Sequence, residues 1–379
     1  MTREEIKNLA LDKIKHNKYL ILELITGFGK SKLAIDLINY ICDKVYNNEK
    51  EPTSVLILVA KTVHKQTWID EIKKWGGIKT DDITIECYES LKKYKNQYFD
   101  TVIADEAQHL SKKRIEILES LHINEAFIGL SATIKNELKS YFGYVHNASF
   151  IKCGLKEAVE NNILPEPKVY LFPMQLDNYT CNYKTKKYGK DIIVTQKGYY
   201  RTLSSLIDWY KEKYFNSRSE RVKNLWLSTA DKRLKWLSEQ KEDIVLNLLD
   251  KFKNQRTITF CKSIDQSVRL GKYNITSKNK NSTKYLTMFN DNKIKHITAV
   301  NILNEGVNLA NCRIGIFCNL NSSEIISKQR VGRLLRHKKP IIILPYFKET
   351  REEELINKMI KEYNKNSVVT INNINDIIL

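Results

Sequence analysis

A short glycine-containing turn near the start of the chain has the residue types that bind phosphate. It consists of Thr26, Gly27, Phe28, Gly29, Lys30 and Ser31. Glycines let the backbone curl so that N–H groups point inward, and the N-terminus of a following helix adds partial positive charge. We expect Lys30 to reach the β- and γ-phosphates of a nucleotide and Ser31 to ligate Mg²⁺. Leu24 replaces the first glycine of the usual pattern, so an ordinary strand-turn-helix with a surface lysine is the alternative.

Two adjacent carboxylates, Asp105 and Glu106, directly follow the apolar run at residues 101–104. A strand that ends in this way suits nucleotide hydrolysis, because Asp105 can hold Mg²⁺, directly or through water, while Glu106 polarises the attacking water. Ligands of parallel α/β sheets bind at this carboxyl edge. A solvated acidic turn is the alternative for this motif alone. Its occurrence together with Lys30 favours hydrolysis.

A basic segment near the other end of the chain places Arg330, Arg333 and Arg336 at helical spacing, with Gly332 allowing close approach. A guanidinium delivered to a γ-phosphate stabilises the charge of the transition state. The alternative is a basic helix that faces nucleic acid or solvent. Upstream, Gly306 follows another predicted strand and permits a tight approach to a ligand.

The elements that must position these residues are read from apolar runs. Nearly continuous β-branched runs fit strands that are covered on both faces, as in a parallel sheet with crossover helices. The predicted strands are residues 19–25, 54–60, 83–87, 101–104, 126–130, 257–260, 296–300, 313–317 and 340–344. The sequence therefore predicts an α/β protein with two parallel sheets flanking a different middle segment, which is largely helical after Gly198.

Three segments follow from this pattern. We predict a first domain over residues 1–168, an insertion or linker rich in Lys, Tyr and Trp over residues 169–250, and a second domain over residues 251–379. Residues 165–167 (Pro-Glu-Pro) form a plausible hinge, because each proline biases the preceding residue away from helix.

The composition narrows the classes of partner. The 379 residues include 63 Lys and Arg against 44 Asp and Glu, a formal net charge of +19 that attracts polyanions, nucleic acid first. A Lys-, Asn- and Ile-rich composition from an AT-rich genome is an equally weighted alternative. No run of about 18 apolar residues predicts a membrane span, and the N-terminus does not have the pattern of a signal peptide. The seven scattered cysteines indicate buried thiols in a reducing cytosol, so we expect a cytoplasmic protein.

Taken in order, these motifs resemble those of superfamily 2 helicases, in the branch of the DEAD/DEAH-like helicases and the helicase subunits of type III restriction enzymes. The resemblance runs from about Ile21 to Leu344. Its motifs are similar to residues 26–31 (I), 58–62 with 66–68 (Ia), 88–90 (Ib), 105–109 (II), 131–133 (III), 258–263 (IV), 303–309 (V) and 329–336 (VI).

The resemblance implies two RecA-like domains with ATP and Mg²⁺ in the cleft between them and a nucleic-acid strand crossing both. It implies that Gln329, Arg333 and Arg336 sense or stabilise the γ-phosphate. Motif III would couple closure to motif II; the implied coupling residues are Gln108, His109, Ser131 and Thr133. The positions that touch the strand in this family are Lys61, Thr62, Ser263 and Asn308. From the residues alone, helix capping is the alternative for Ser131 and Thr133.

Two departures from the family pattern limit which family properties can be expected of this chain. No Gln precedes Gln66, so the upstream Gln that selects adenine in many relatives has no counterpart. Motif II reads Asp-Glu-Ala-Gln, so the rules of the RNA-helicase subfamilies do not transfer.

The predicted function is an ATP-dependent helicase or translocase, on DNA in preference to RNA, with any nuclease or specificity function supplied by a protein partner. A nucleic-acid-dependent ATPase switch or remodeller without strand separation is the first alternative. A non-catalytic nucleic-acid-binding protein is the second. In the middle segment, the basic and aromatic residues at 184–190 favour nucleic-acid binding. The Trp residues there favour packing of the segment's own helices.

Overall fold

The computed structural model describes residues 1–49, 53–187, 189–300, 309, 311–320 and 330–379. The chain divides into two compact units at Pro165 and Glu166. The first unit begins at Met1 and also includes residues 330–336. The second contains the remaining described residues. The three-part division of the sequence stays a prediction, although the boundary between the units falls within the predicted hinge.

The first unit is built on a six-stranded parallel sheet with the order β3-β2-β4-β5-β1-β6. Its strands are β1 Tyr19–Leu24, β2 Val55–Val59, β3 Ile83–Cys87, β4 Tyr98–Asp105, β5 His122–Ser131 and β6 Ser149–Cys153. Its helices are α1 Arg3–His16, α2 Lys30–Glu49, α3 Thr62–Lys74, α4 Lys112–Leu118, α5 Asn136–His146 and α6 Leu155–Glu160. The central strands are buried on both faces, which explains their continuous apolar runs.

The register of this sheet brings the motif residues to one edge. β1 lies between β5 and β6, so Glu23 near its end is level with Ser131 and with Lys152. On the other side of β5, Asp105 at the end of β4 is level with Leu130. The phosphate turn, the acidic pair and motif III therefore all follow carboxyl ends of neighbouring parallel strands.

The second unit is built on a seven-stranded parallel sheet with the order β11-β12-β10-β13-β14-β7-β15. Its strands are β7 Lys168–Met174, β10 Thr257–Phe260, β11 Asn274–Ile275, β12 His296–Ala299, β13 Ile314–Phe317, β14 Ile341–Phe347 and β15 Val368–Thr370. Its described helices are α7 Gln196–Ser217, α8 Glu220–Glu239, α9 Glu242–Lys251, α10 Ile264–Leu270, α11 Ser282–Asn290 and α12 Arg351–Met359. A two-stranded antiparallel hairpin joins β8 Tyr183–Lys187 to β9 Lys190–Val194.

The α/β fold class with two parallel sheets is confirmed. Each of the nine predicted strands coincides with an observed one, and the helical character after Gly198 is confirmed by α7, α8 and α9. The segment 169–250 also contributes β7 to the second sheet, and α9 packs Val245 and Leu248 into the core of the second unit. Sequence patterns missed β7 because its partners β14 and β15 lie more than 160 positions further along the chain.

The structure also bears on membrane-spanning helices and on the burial of the cysteines. No helix in the described part of the chain combines the length and apolarity needed to cross a membrane. Five of the cysteines are buried, as expected, whereas Cys87 is half-buried and Cys181 is exposed.

Candidate nucleotide-binding site

The phosphate turn lies between β1 and α2 and has the backbone conformation that its glycines allow. Gly27 has φ of 92° and Gly29 has φ of 104°, both in the left-handed region that side chains disfavour. The Phe28 N–H donates to Ile25 O at 3.2 Å, and Phe28 itself is buried. The turn thus closes on itself and directs α2 away from the strand, with the free N–H groups of the helix N-terminus at its mouth.

Lys30 and Ser31 open α2, as predicted. The Lys30 ammonium donates to Leu24 O at 3.0 Å, which folds the side chain back over the turn. Arg3 ties the other side of the turn in place, with Nε donating to Phe28 O and Nη2 donating to Ile163 O, both at 3.0 Å. Arg3 therefore joins the phosphate turn to the end of the first unit.

The turn fits a phosphate-bearing ligand with Mg²⁺. A Cβ added at Gly29 would meet no atom within 4 Å, so the space above this residue is open. Thr26 Oγ1 is buried and has no hydrogen-bond partner among the described residues. The described residues contain no cluster of three His, Cys, Asp or Glu side chains that would hold a metal alone. A magnesium ion here would therefore depend on phosphate oxygens beside Ser31 and Asp105, as Mg²⁺ commonly does.

Asp105 is held at the end of β4 by three hydrogen bonds. Trp68 Nε1 donates to its Oδ2 at 2.9 Å, the Glu106 N–H donates to its Oδ1 at 3.0 Å, and Tyr88 donates its hydroxyl to the Asp105 carbonyl at 2.9 Å. Burial raises the pKa of Asp105 to about 6, and the charge of Glu106 adds to the rise. The bond from Trp68 and the charge of Lys30 oppose it. The carboxylate is therefore fixed in direction and costly to ionise unless a cation is near.

Glu106 starts a polar chain that reaches motif III. Its backbone is left-handed, with φ of 52°, which is strained for a residue with a side chain. The Gln108 amide donates to Glu106 Oε2 at 2.9 Å, and the Ser131 hydroxyl lies 2.5 Å from Gln108 Oε1. Ser131 Oγ in turn accepts from the Thr133 N–H at 3.1 Å. Four of the predicted residues therefore form one connected path.

His109 lies beside this path. Its backbone N–H donates to Glu106 O at 3.0 Å, and its ring lies 6.4 Å from that of Tyr88.

The arginine segment packs against the phosphate turn within the first unit. A Cβ added at Gly332 would lie 2.4 Å from Thr26 Cβ and 2.7 Å from Thr26 O, so only glycine allows this approach. Residues 330–334 are helical, Arg333 is buried, and Arg336 lies exposed in the turn that follows. The close approach predicted at Gly332 is therefore present, and it faces the loop that carries Lys30.

The residues that are predicted to contact the nucleic-acid strand differ in their surroundings. Lys61 and Thr62 are exposed at the start of α3, and the Thr62 hydroxyl lies 3.8 Å from Cys87 Sγ. Ser263 caps α10 by accepting from the Gln266 N–H at 3.2 Å, so one of its oxygen lone pairs serves the fold. Three predicted residues, Gly306, Asn308 and Gln329, lie outside the described residues.

A cavity of about 450 Å³ adjoins the outer side of the phosphate turn. It is lined by the turn, by the first residues of α1 and by Trp75. The Lys32 and Lys74 ammonium groups lie 5.6 Å and 4.6 Å from the Trp75 ring centroid. An aromatic ring flanked by cations beside a phosphate turn can hold a flat ring that carries phosphate.

Sequence reasoning missed three supports of this site, namely Arg3, Trp68 and Tyr88. Trp68 was read as part of motif Ia and Tyr88 as part of motif Ib, with no link to Asp105. Their partners lie 37 and 17 positions away in the sequence, and no local pattern reveals such pairs.

Comparisons with known proteins match both ends of the chain to helicase families. The model of the type III restriction enzyme res subunit matches residues 2–136, and the helicase conserved C-terminal domain matches residues 240–338. The chain is 24% identical over 352 residues to the DNA 3'-5' translocase XPB2 of Sulfurisphaera tokodaii, covering 84% of this chain and 75% of that protein.

Solved structures share the fold. The HsdR fragment of a type I restriction enzyme from Vibrio vulnificus matches with a TM-score of 0.61 and 17% identity, over 97% of this chain and 68% of that one. Dbp5 of S. cerevisiae bound to RNA and ADP BeF3 matches with a TM-score of 0.60 and 12% identity, over 97% and 89%.

The fold and the ordered motifs define a protein with two RecA-like α/β domains of the helicase type. The two family models and these relatives support a superfamily 2 helicase.

Proposed function

We propose that this chain is a nucleic-acid-dependent ATP hydrolase that moves along a DNA strand. One observation supports the proposal above the others. Lys30 of the phosphate turn and Asp105 at the end of β4 lie close enough for the lysine charge to act on the carboxyl group, with Glu106 beside them. This is the arrangement that hydrolysis of a nucleoside triphosphate needs.

The roles of the residues follow from their positions. Lys30 and the backbone N–H groups of residues 27–31 bind the phosphates, and Ser31 and Asp105 would hold Mg²⁺. The bound metal supplies positive charge to the phosphate oxygens. Glu106 orients the attacking water and accepts its proton. Arg333 and Arg336, with Gln329 outside the described residues, are proposed to stabilise the charge that develops on the γ-phosphate.

Gln108 and Ser131 connect Glu106 to motif III through hydrogen bonds. A change in the hydrogen bonding of Glu106 passes through Gln108 to Ser131 and Thr133. We propose that this path couples the state of the bound nucleotide to the affinity for the nucleic-acid strand. Movement requires that ATP favour one conformation over another, because only a difference in affinity can do work.

DNA is the proposed track, with RNA as the alternative. The XPB2 relative is a DNA translocase by name, whereas the Dbp5 structure contains RNA. A net charge of +19 supports contacts with phosphates in either case. Lys61, Thr62, Ser263 and Asn308 remain the proposed strand contacts, and a protein partner is proposed to add specificity or nuclease activity.

The test is steady-state ATP hydrolysis titrated with single-stranded DNA, duplex DNA and RNA at fixed salt. We expect single-stranded DNA to stimulate hydrolysis most. No hydrolysis with any of the three would indicate a non-catalytic binding protein. Strand displacement assayed with the same preparation separates a helicase from an ATPase that remodels without separating strands.

A further inference from the structure

A second polar cavity, of about 910 Å³, lies in the second unit at the amino ends of its central strands. Its lining residues directly precede β10, β12, β13 and β14, for example Arg256, Lys295, Arg313 and Lys339. The predicted strand contact Ser263 follows the carboxyl end of β10. Since these strands run parallel and are about four residues long, the two edges are roughly 10 Å apart.

The cavity carries a strong excess of positive charge. Of its twelve described lining residues, five are Lys or Arg, and the one acidic residue among them, Asp291, forms an ion pair with Lys293 at 3.1 Å. Five more lining residues are Asn or Gln, whose amides can donate hydrogen bonds. The surface is therefore suited to several anionic oxygens.

Several guanidinium nitrogens of the cavity lack a hydrogen-bond partner in the described part of the chain. Arg256 Nε, Arg256 Nη2 and Arg313 Nε are buried and have no hydrogen-bond partner among the described residues. Burial lowers the pKa of His337, and the charges of Arg313 and Arg256 lower it further. An uncompensated cluster of this kind is costly without an anionic ligand.

Among its described lining residues there is no Phe, Tyr or Trp, and His337 is the one ring on which an unpaired base could stack. The Arg256 guanidinium lies 4.5 Å from the Phe289 ring centroid, but Phe289 lies behind the lining. The cavity is also larger than one phosphate requires. These features favour a backbone of consecutive phosphates whose bases are hidden, as in a duplex.

We propose that this cavity binds the phosphodiester backbone of a nucleic-acid duplex, as a second site separate from the strand path of the motor. The inference rests on the nucleic-acid partner in the proposed function. Lys295, Lys338 and Lys339 contact phosphates at the rim, and Arg256 and Arg313 form the floor. The site would hold the duplex that flanks the strand being tracked.

The experiment compares a K295Q/K338Q/K339Q variant with a K358Q/K361Q/K365Q control. The control removes the same charge from exposed lysines of the second unit that do not line the cavity. Binding of a DNA duplex, an RNA duplex and a single strand is measured by anisotropy over a range of salt concentrations. Each lost phosphate contact reduces the slope of log K against log salt by about 0.9, so we expect the slope for duplexes to fall by about 2 to 3.

The control should keep the wild-type slope, and both variants should keep single-strand affinity and ATP hydrolysis. Equal slopes for duplex binding by the two variants would overturn the proposal. So would an equal loss of single-strand binding, or the same dependence on these lysines for polyglutamate or inorganic phosphate. A wild type that binds duplex but hydrolyses no ATP would contradict the proposed function and leave this site standing.

Discussion

The carboxyl edge of the first sheet and the amino edge of the second sheet are both rich in cations, but they balance charge in opposite ways. At the first edge, Lys30 faces Asp105 and Glu106, and each carboxylate has fixed hydrogen-bond donors. At the second edge, the charges of Arg256 and Arg313 both act on His337, and the one carboxylate among the described lining residues is already paired. We therefore propose that the first edge holds a metal and activates water, whereas the second binds anions.

The largest difference between the edges is expected for Glu106→Gln. This change keeps the side-chain shape and removes the proton acceptor, so ATP hydrolysis should fall about 100- to 1000-fold while nucleotide binding persists. Steady-state hydrolysis and nucleotide binding measure the two effects. Glu116→Gln, an exposed change on α4, is the matched control and should leave the rate unchanged.

If Glu106→Gln retained the wild-type rate, the chemistry would not lie at the first edge. The contrast between the two edges would also be wrong if K295Q/K338Q/K339Q lowered ATP hydrolysis as much as Glu106→Gln does.

The contact between the arginine segment and the phosphate turn gives the next largest effect. In Gly332→Ala the added methyl would overlap Thr26 and push residues 330–336 away from the turn. Such overpacking costs about 1–3 kcal/mol, so we expect about a tenfold loss of hydrolysis and a lower melting temperature. Gly154→Ala is the control, because its Cβ would meet no atom within 4 Å and its φ is −83°. Equal rates for the two variants would show that the approach at Gly332 is not needed.

Trp68→Phe should change the pH dependence of ATP hydrolysis, which depends on Asp105 at the first edge. The indole N–H favours the ionised form of Asp105, so its loss should raise the pKa of Asp105 above about 6. Hydrolysis falls as this carboxylate is protonated, and the acid limb of the rate profile should therefore move to higher pH. A hydrogen bond to a charged group contributes about 1.5–3 kcal/mol, which corresponds to a shift of about one to two pH units.

Trp209→Phe is the control for this shift. Trp209 is exposed on α7 of the second unit, so its replacement should leave the limb in place. An unshifted limb in Trp68→Phe would mean that Asp105 does not set the acid dependence.

The two edges also differ in how far the sequence predicts them. Glycines, Lys30 and Ser31 lie within one turn, and Asp105 directly follows its strand, so strand and motif patterns were enough. The partners Trp68 and Arg3 act across the fold, and their hydrogen bonds depend on tertiary packing. The cavity at the second edge draws two to four residues from each of four separate segments, none of which forms a motif. Local patterns therefore predict the residues that are proposed to react, whereas packing decides which residues hold them in place.

The central claim is that Lys30 and Arg336 act on the same triphosphate, and a double-mutant cycle tests it most directly. ATP hydrolysis stimulated by single-stranded DNA is measured for Lys30→Ala, Arg336→Ala and the double variant. If both side chains stabilise one transition state, the double variant should lose markedly less than the two single losses combined. Losses that simply add, or a Lys30→Ala variant with the wild-type rate, would contradict the account.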